Sequence, residues 1–424
     1  MLVKWLIGTD GEIKKESIIW NTIGGAVNAG QSAIILIFVS HRLGVNVAGM
    51  VTIAYAIAQV FLAIAKYGVR NYQVTDVAEK FSFWDYMYAR AVVVAIVFFA
   101  LLCYLFFSFQ WGGNAFEKIT IIFEVVVLKL IDAFEDVYLG RFQQVGRLDI
   151  GAKIMAFRLV ISTGLICLCI LLGVGIFASL LSGIISSIFI DIYCIYKCLV
   201  EAKLKNRLFS VRAVCHLLKN CFPLCVGTTL AIYIGNVPKY MINDYMNEEA
   251  QAIFGYIMMP VFVIMLLNTF IYQPMVKELG ELWSRKKISD FRSKVLKQCM
   301  IVIGLTVAVL LLGLTLGVPI LSFLYNTDLR LYRAEFAVLL VGGGFYALAS
   351  YLNVPITTMR KQGSIAVGYG VVTVLSIFFG GEFVLRGGIM GASVLYLIIT
   401  ILLVIVYFLI LLRGINKKLL EEDI

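Results

Sequence analysis

The stretch from Phe116 to Gln144 reads FEKITIIFEVVVLKLIDAFEDVYLGRFQQ. It is long and apolar enough to cross a bilayer, which takes about 20 residues of helix. At about 100° per residue, five of its charged side chains fall within one arc of roughly 140°. These are Glu124, Lys129, Asp132, Glu135 and Asp136. Because an ionised side chain in the hydrocarbon core costs at least about 2.5 kcal/mol unless it faces protein or water, the stretch predicts a membrane helix with a polar interior face.

This polar face has two interpretations. In the first, Lys129 and Asp132 form a buried ion pair at i,i+3 that only fixes the packing of the helix. In the second, the charged side chains line a water-filled cavity. A single pair accounts for two of the five charges, so the cavity is the favoured interpretation.

The composition bounds the class of protein. Of the 424 residues, 61% are apolar, against roughly 45–50% in soluble proteins. Only 15% are charged, and the mean hydropathy is +0.94. These values exclude a sizeable soluble domain and predict a polytopic membrane protein. The nine cysteines lie mostly in apolar runs and show no zinc-ligand spacing with the two histidines. We therefore expect no metal site, and no catalytic constellation is present in the sequence.

Twelve apolar spans can be drawn, six on each side of a basic connector at Glu201–Arg212. Their approximate bounds are 17–40, 46–67, 84–109, 116–140, 151–172 and 175–200, then 214–240, 249–275, 295–324, 333–357, 364–384 and 388–412. The pattern predicts an all-α fold with an N-terminal half at 1–206 and a C-terminal half at 207–424.

The two halves also repeat weakly. Gly49 and Gly68 lie 19 residues apart in the second span, and Gly255 and Pro274 have the same separation in the eighth. The offset between the two pairs is 206 residues. Because each half has an even number of spans, both halves have the same orientation, as in transporters with parallel repeats. We expect two six-helix bundles around a central cavity.

The basic residues alternate with the spans. With the N-terminus placed in the cytoplasm, 29 of the 36 Lys and Arg residues lie in or next to cytoplasmic segments, among them Lys66, Arg70, Arg147 and Lys153. This asymmetry follows the positive-inside rule and predicts that both termini are cytoplasmic. The net charge of +10 is then loop charge facing anionic lipid, so no nucleic-acid partner is expected.

Other spans carry amide side chains within their apolar sequence. They are Asn28 and Gln31 in the first span, Gln59 in the second, Asn268 in the eighth and Asn353 in the tenth. Polar side chains also join helices to one another in lipid. Since the amides occur in both halves, we expect them to face the same cavity as the fourth span.

The twelve spans, the basic connector and the Gly255–Tyr256 pair resemble the multidrug/oligosaccharidyl-lipid/polysaccharide flippase superfamily. The likeness covers nearly the whole chain and favours the polysaccharide-transporter branch, the Wzx-type O-antigen and capsule flippases. The stretch Asp132–Val160, DAFEDVYLGRFQQVGRLDIGAKIMAFRLV, is similar to that family's acidic helix end, glycine turn and basic re-entry. Lys239 resembles a basic position at the outer end of the seventh helix, although Pro238 replaces the acidic residue that often accompanies it.

The resemblance implies an activity and a location. The activity is translocation of undecaprenyl-pyrophosphate-linked oligosaccharide repeat units across the bacterial inner membrane by alternating access. The implied partners are this lipid-linked oligosaccharide, the bilayer and the polysaccharide polymerase and export machinery. The destination of the glycan, whether O-antigen, capsule or exopolysaccharide, stays open. No cofactor is implied beyond a coupling proton or sodium ion.

The resemblance also assigns roles to the charged residues. Pyrophosphate needs cations in a cavity of low dielectric constant, whereas a sugar chain needs amides, hydroxyls and aromatic faces. The candidate cations are Arg90, Lys129, Arg158 and Lys239. Carboxylates that would tune these cations or carry the coupling ion are Glu124, Asp132 and Glu135.

Two alternative functions remain at this stage. A cation-coupled multidrug antiporter of the same superfamily needs carboxylates that dominate the cavity, whereas the fourth span mixes both signs. A membrane glycan polymerase or ligase, which would be an enzyme, usually needs a substantial outer loop, and the predicted outer loops are short. The flippase is the favoured interpretation.

Overall fold

The computed structural model describes residues 2–8, 13–76, 79–108, 115–204, 210–272 and 275–420. Within these ranges the chain forms α-helices and no strand. The helices are α1 Leu2–Ile7, α2 Ile13–Arg42, α3 Val45–Lys66, α4 Val69–Thr75, α5 Phe83–Ser108, α6 Ala115–Gln144, α7 Leu148–Leu171, α8 Ile176–Cys198, α9 Val211–Tyr245, α10 Glu248–Tyr272, α11 Met275–Ser284, α12 Ile288–Leu312, α13 Val318–Tyr325, α14 Arg333–Thr358 and α15 Gln362–Leu420.

The long helices coincide with the predicted spans because each is an uninterrupted apolar run of bilayer length. Among the described residues, ten helical segments are long and apolar enough to cross a membrane. The fourth predicted span, α6, is not one of these ten, because it carries too many charged side chains. The chain is a multi-pass membrane protein.

The last two predicted spans, 364–384 and 388–412, are joined in one helical segment, α15. Gly388 interrupts it with φ 55° and ψ −133°, a conformation that suits a residue without a Cβ atom. A Cβ atom on Gly380 would lie 3.3 Å from Leu395, and one on Gly368 would lie 2.6 Å from Tyr407. In both contacts the two residues lie nearly the same number of positions before and after Gly388 in the sequence. The two arms of α15 therefore run antiparallel.

The predicted span 295–324 is also composite. It consists of α12, a π-helical turn at Gly313–Gly317 and α13, which begins next to Pro319. Proline at this position lacks a backbone N–H donor, so the i→i−4 ladder is interrupted there.

The chain divides into two compact units, Met1–Thr229 and Leu230–Ile424. The boundary falls inside α9, whereas the sequence analysis placed the division at 206/207 in the basic connector. In the first unit, α6 packs against α3, α4, α5, α7 and α8. The face of α6 opposite its charged side chains is mostly covered by protein: Ile122 and Val126 are fully buried, whereas Phe134 is 39% exposed. In the second unit, α14 packs against α10, α12 and α15.

Candidate substrate site

Lys129 lies at the centre of a buried polar cluster in the first unit and is 1% exposed. Its Nζ donates to Asp132 Oδ2 at 2.9 Å and to Gln31 Oε1 at 2.7 Å, with Asn28 Oδ1 at 3.4 Å. The ammonium also lies 5.9 Å from the centre of the Tyr55 ring. In this state Lys129 is fully engaged in protein contacts, as the ion-pair interpretation of the sequence describes.

Arg158, on α7, binds three carboxylates. Its Nη2 donates to Asp132 Oδ1 at 2.7 Å and to Glu135 Oε2 at 2.6 Å, and its Nε lies 3.4 Å from Asp191 Oδ1 on α8. The guanidinium thus connects α6, α7 and α8 through one buried group. Together with Lys129, this cluster has two cations for three carboxylates, so it carries a formal deficit of one positive charge.

Asp136, one turn further along α6, is surrounded by the opposite balance. Its Oδ2 accepts from Arg90 at 3.0 Å, and its Oδ1 lies 3.5 Å from Arg70 and 3.6 Å from Lys66. Arg90 is fully buried and also donates to the Ala65 carbonyl. Three cations around one carboxylate leave a formal surplus of two positive charges.

A cavity of about 220 Å³ lies between these two clusters. Charged and amide side chains form most of its wall: Asn21, Asn28, Lys66, Arg70, Asp132, Glu135, Asp136 and Arg158. The remainder is Gly25, Leu139, Met155 and Leu159. Because α6 contributes the carboxylates and α3, α4 and α7 the cations, the cavity is bounded by charges of both signs.

The structure brings together part of the predicted site. Asn28, Asp132, Glu135 and Arg158 line the cavity. Arg90, Lys129 and Gln31 lie behind that wall, where Gln31 joins Lys129 to Thr163 through a hydrogen bond of 3.1 Å from its Nε2. The remaining two residues predicted in this unit, Gln59 and Glu124, are half-buried and do not line the cavity. One carboxylate oxygen of Glu124, Oε2, is buried without a hydrogen-bond partner.

Lys66 and Arg70 are cavity residues that the sequence analysis counted as cytoplasmic loop charge. The chain bends between them, where Tyr67 (φ 50°) ends α3 and Gly68 (φ 67°) begins α4 in the left-handed region. This break lets cations on two different helices reach the same carboxylate. The signal in the sequence was the AKYGVR segment, in which a glycine follows a long apolar helix between two cations.

The predicted residues of the second unit are Lys239, Asn268 and Asn353. Lys239 is 6% exposed and lies 5.4 Å from the centre of the Phe262 ring. Within the described parts of the chain, no carboxylate lies at ion-pair distance from it. Asn268 Nδ2 donates to the Ala347 carbonyl at 2.8 Å, and Asn353 Nδ2 donates to the Tyr369 hydroxyl at 3.0 Å.

Tyrosines surround these two amides. Tyr369 packs edge-on against Tyr407 with 5.5 Å between ring centres, and Tyr272 packs against Tyr351 with 6.0 Å. Several polar atoms here are buried without a hydrogen-bond partner. They are Asn268 Oδ1, Asn353 Oδ1, the Tyr351 hydroxyl and both amide atoms of Gln298. Among its described residues, the second unit therefore has an interior of aromatic rings and unsatisfied amides with one buried cation.

Solved structures with this fold are transporters. A multidrug-resistance MATE transporter of the MOP superfamily, in an inward-facing conformation, matches with a TM-score of 0.71 and 14% identity over 93% of this chain and 96% of its own. The lipid II flippase MurJ, in an inward closed conformation, matches with a TM-score of 0.71 and 14% identity over 95% of this chain and 91% of its own. The eukaryotic MATE transporter AtDTX14 matches with a TM-score of 0.66 and 12% identity over 96% and 98%.

No protein-family model matches the chain, and no curated protein matches it in sequence. At these identities the solved structures show the fold, which is that of MATE transporters and of MurJ. The predicted all-α, polytopic membrane fold is confirmed, whereas the twelve crossings and the cytoplasmic termini stay predictions. The assignment to the polysaccharide-transporter branch stays a prediction.

Proposed function

We propose that this chain is a flippase that moves undecaprenyl-pyrophosphate-linked oligosaccharides from the cytoplasmic to the outer leaflet of the bacterial inner membrane. One observation carries the proposal, namely the surplus of cations in the buried network of the first unit. Five cations, Lys66, Arg70, Arg90, Lys129 and Arg158, share four carboxylates, Asp132, Glu135, Asp136 and Asp191. Phosphate oxygens are the natural complement of such a surplus because charge-assisted hydrogen bonds to them are strong.

The second unit supports a carbohydrate component of the substrate. Sugar hydroxyls need donors and acceptors, and the apolar faces of sugar rings pack on aromatic rings. Asn268 and Asn353 each retain an unsatisfied oxygen beside tyrosine rings. The buried ammonium of Lys239 repels an organic cation in this unit and attracts an anion. We infer that both amides and Lys239 contact substrate.

The proposed mechanism is alternating access through twelve membrane crossings, with both termini in the cytoplasm. The two arms of α15 and the charged helix α6 supply the crossings beyond those evident from hydropathy alone. Asp132 and Glu135, bound to Arg158, are the proposed carriers of a coupling proton or sodium ion, together with Glu124. Protonation of either carboxylate would weaken its bond to Arg158 and free a cation for substrate.

A cation-coupled multidrug antiporter is the second candidate. The observation that favours it is the cluster of Asp132, Glu135 and Asp191, which exceeds its two cations in charge. The MATE transporters with this fold give it equal support. The two candidates differ in the sign of the substrate charge, so a single comparison separates them.

Deletion of the gene tests this choice. We expect the lipid-linked repeat unit to accumulate in the inner leaflet and surface polysaccharide to be lost, because a charged head group does not cross the hydrocarbon core unaided. Resistance to toxic organic cations should stay unchanged. Normal surface polysaccharide combined with a loss of cation resistance would establish the antiporter instead.

A further inference from the structure

Lys66 and Arg70 approach the same oxygen of Asp136 from the two sides of the α3–α4 break. Their nitrogens lie 3.6 and 3.5 Å from Oδ1, longer than the 2.7–3.2 Å of an N–H···O hydrogen bond. Arg90 instead holds Oδ2 at 3.0 Å. Asp136 is therefore bound firmly by Arg90 and only loosely by the other two cations.

The same two cations have access to the cavity. The side chains of Lys66 and Arg70 are 35% and 25% exposed, whereas Arg90 is fully buried. Arg70 is also held in place, since its Nη2 donates to Gln143 at 2.9 Å. The cavity volume of about 220 Å³ is several times the roughly 30 Å³ that one water molecule occupies in the liquid, so a polyatomic anion can enter it.

The carboxylates in the wall do not prevent an anion from binding. Asp132 and Glu135 lie within 2.9 Å of Lys129 or Arg158, and the third carboxylate of that cluster, Asp191, does not line the cavity. The bonded oxygens of Asp132 and Glu135 therefore face Lys129 and Arg158. The surplus of two positive charges around Asp136 is thus the dominant field on that side of the cavity.

We propose that Lys66 and Arg70 form a diphosphate-binding site and that Asp136 occupies it as an internal anion when no substrate is bound. An entering diphosphate takes over Lys66 and Arg70, while Asp136 keeps its hydrogen bond to Arg90. The inference rests on the proposed function only for the identity of the molecule that carries the diphosphate.

Calorimetric titration of the purified full-length protein with inorganic pyrophosphate tests the site. Lys66→Gln and Arg70→Gln should each weaken binding by at least about tenfold, because each removes a charge-assisted contact to the anion. Asp136→Asn should strengthen binding, since it removes the competing charge and leaves an amide oxygen to accept from Arg90. Lys197→Gln should bind like the parent, because Lys197 is exposed and its Nζ lies 5.9 Å from the ring centres of Tyr193 and Tyr196.

Equal affinities in the parent, Lys66→Gln and Arg70→Gln, or no binding by the parent, would overturn the proposal. Both glutamine variants keep the Arg90–Asp136 pair, so they decide the question even if Asp136→Asn fails to fold. Nanodiscs that contain polyprenyl pyrophosphate, compared with nanodiscs of phosphatidylglycerol alone, separate a lipid-borne diphosphate from anionic lipid. Competition by the first and not the second supports a lipid-borne ligand. If neither kind of nanodisc competes with inorganic pyrophosphate, the site binds a soluble diphosphate. That result contradicts the proposed flippase function but not the diphosphate-binding site.

Discussion

Arg158→Met is expected to lower the stability of the first unit more than any other single substitution in the buried network. The change leaves Asp132, Glu135 and Asp191 with Lys129 as their one cation in the cluster. Removing one partner of a buried ion pair costs about 3–5 kcal/mol, because the remaining charge has no compensation. At about 2–4 °C per kcal/mol for a unit of this size, the melting temperature should fall by roughly 6–20 °C.

Thermal unfolding of the purified protein in a neutral detergent measures this effect. Lys197→Met is the matched control, because it removes an exposed cation from α8 that packs on two tyrosine rings. Arg158→Lys should fall between the parent and Arg158→Met, since it keeps the charge and loses the planar fork. A melting temperature of Arg158→Met within about 2 °C of the parent would contradict the arrangement of charges described here.

The double substitution Lys129→Met with Asp132→Leu is expected to abolish transport while leaving a folded protein. Replacing both members of a buried pair by apolar residues is often neutral for stability, because no unpaired ion remains. Arg158 retains Glu135 and Asp191 as partners in this variant. We therefore expect normal amounts in the membrane and at least a tenfold loss of surface polysaccharide.

The matched control for this variant is Arg386→Met with Glu382→Leu. These residues also form an ion pair within one helix, at i,i+4, but their side chains are largely exposed. This control should keep both membrane level and export. Normal surface polysaccharide in the Lys129/Asp132 double variant would show that this pair serves packing alone.

The positions of the helices could be predicted because apolar length is a local property of the sequence. The charged stretch in α6 likewise identified the helix around which the polar groups of the first unit gather. Arg90 and Arg158 were recognised as candidates, yet their partners could not be, because nothing local relates Arg90 to Asp136, 46 residues away. Such pairs depend on how α5, α6 and α7 pack.

Other features needed the structure for different reasons. Lys66 and Arg70 fit the positive-inside pattern, and this pattern alone accounts for their charge. The pattern therefore did not indicate that they line a cavity. Arg147 and Lys153 were also counted as loop charge, whereas the structure shows them bound to the backbone carbonyls of Ile7 and Trp5, both in α1. Basic residues at the ends of membrane helices thus either face the cytoplasm as loop charge or bind groups inside the protein. A count of basic residues along the sequence does not separate these two roles.

The flippase proposal requires that the substrate is an anionic, lipid-linked oligosaccharide. Its most direct test is translocation in proteoliposomes of purified protein, using an undecaprenyl-pyrophosphate oligosaccharide that a membrane-impermeant glycosidase can cleave only in the outer leaflet. We predict that the protein makes substrate from the inner leaflet accessible to the glycosidase and that the Lys129→Met, Asp132→Leu variant does not. Protection of the inner-leaflet substrate equal to that in protein-free liposomes, together with uptake of an organic cation driven by a proton or sodium gradient, would contradict the claim.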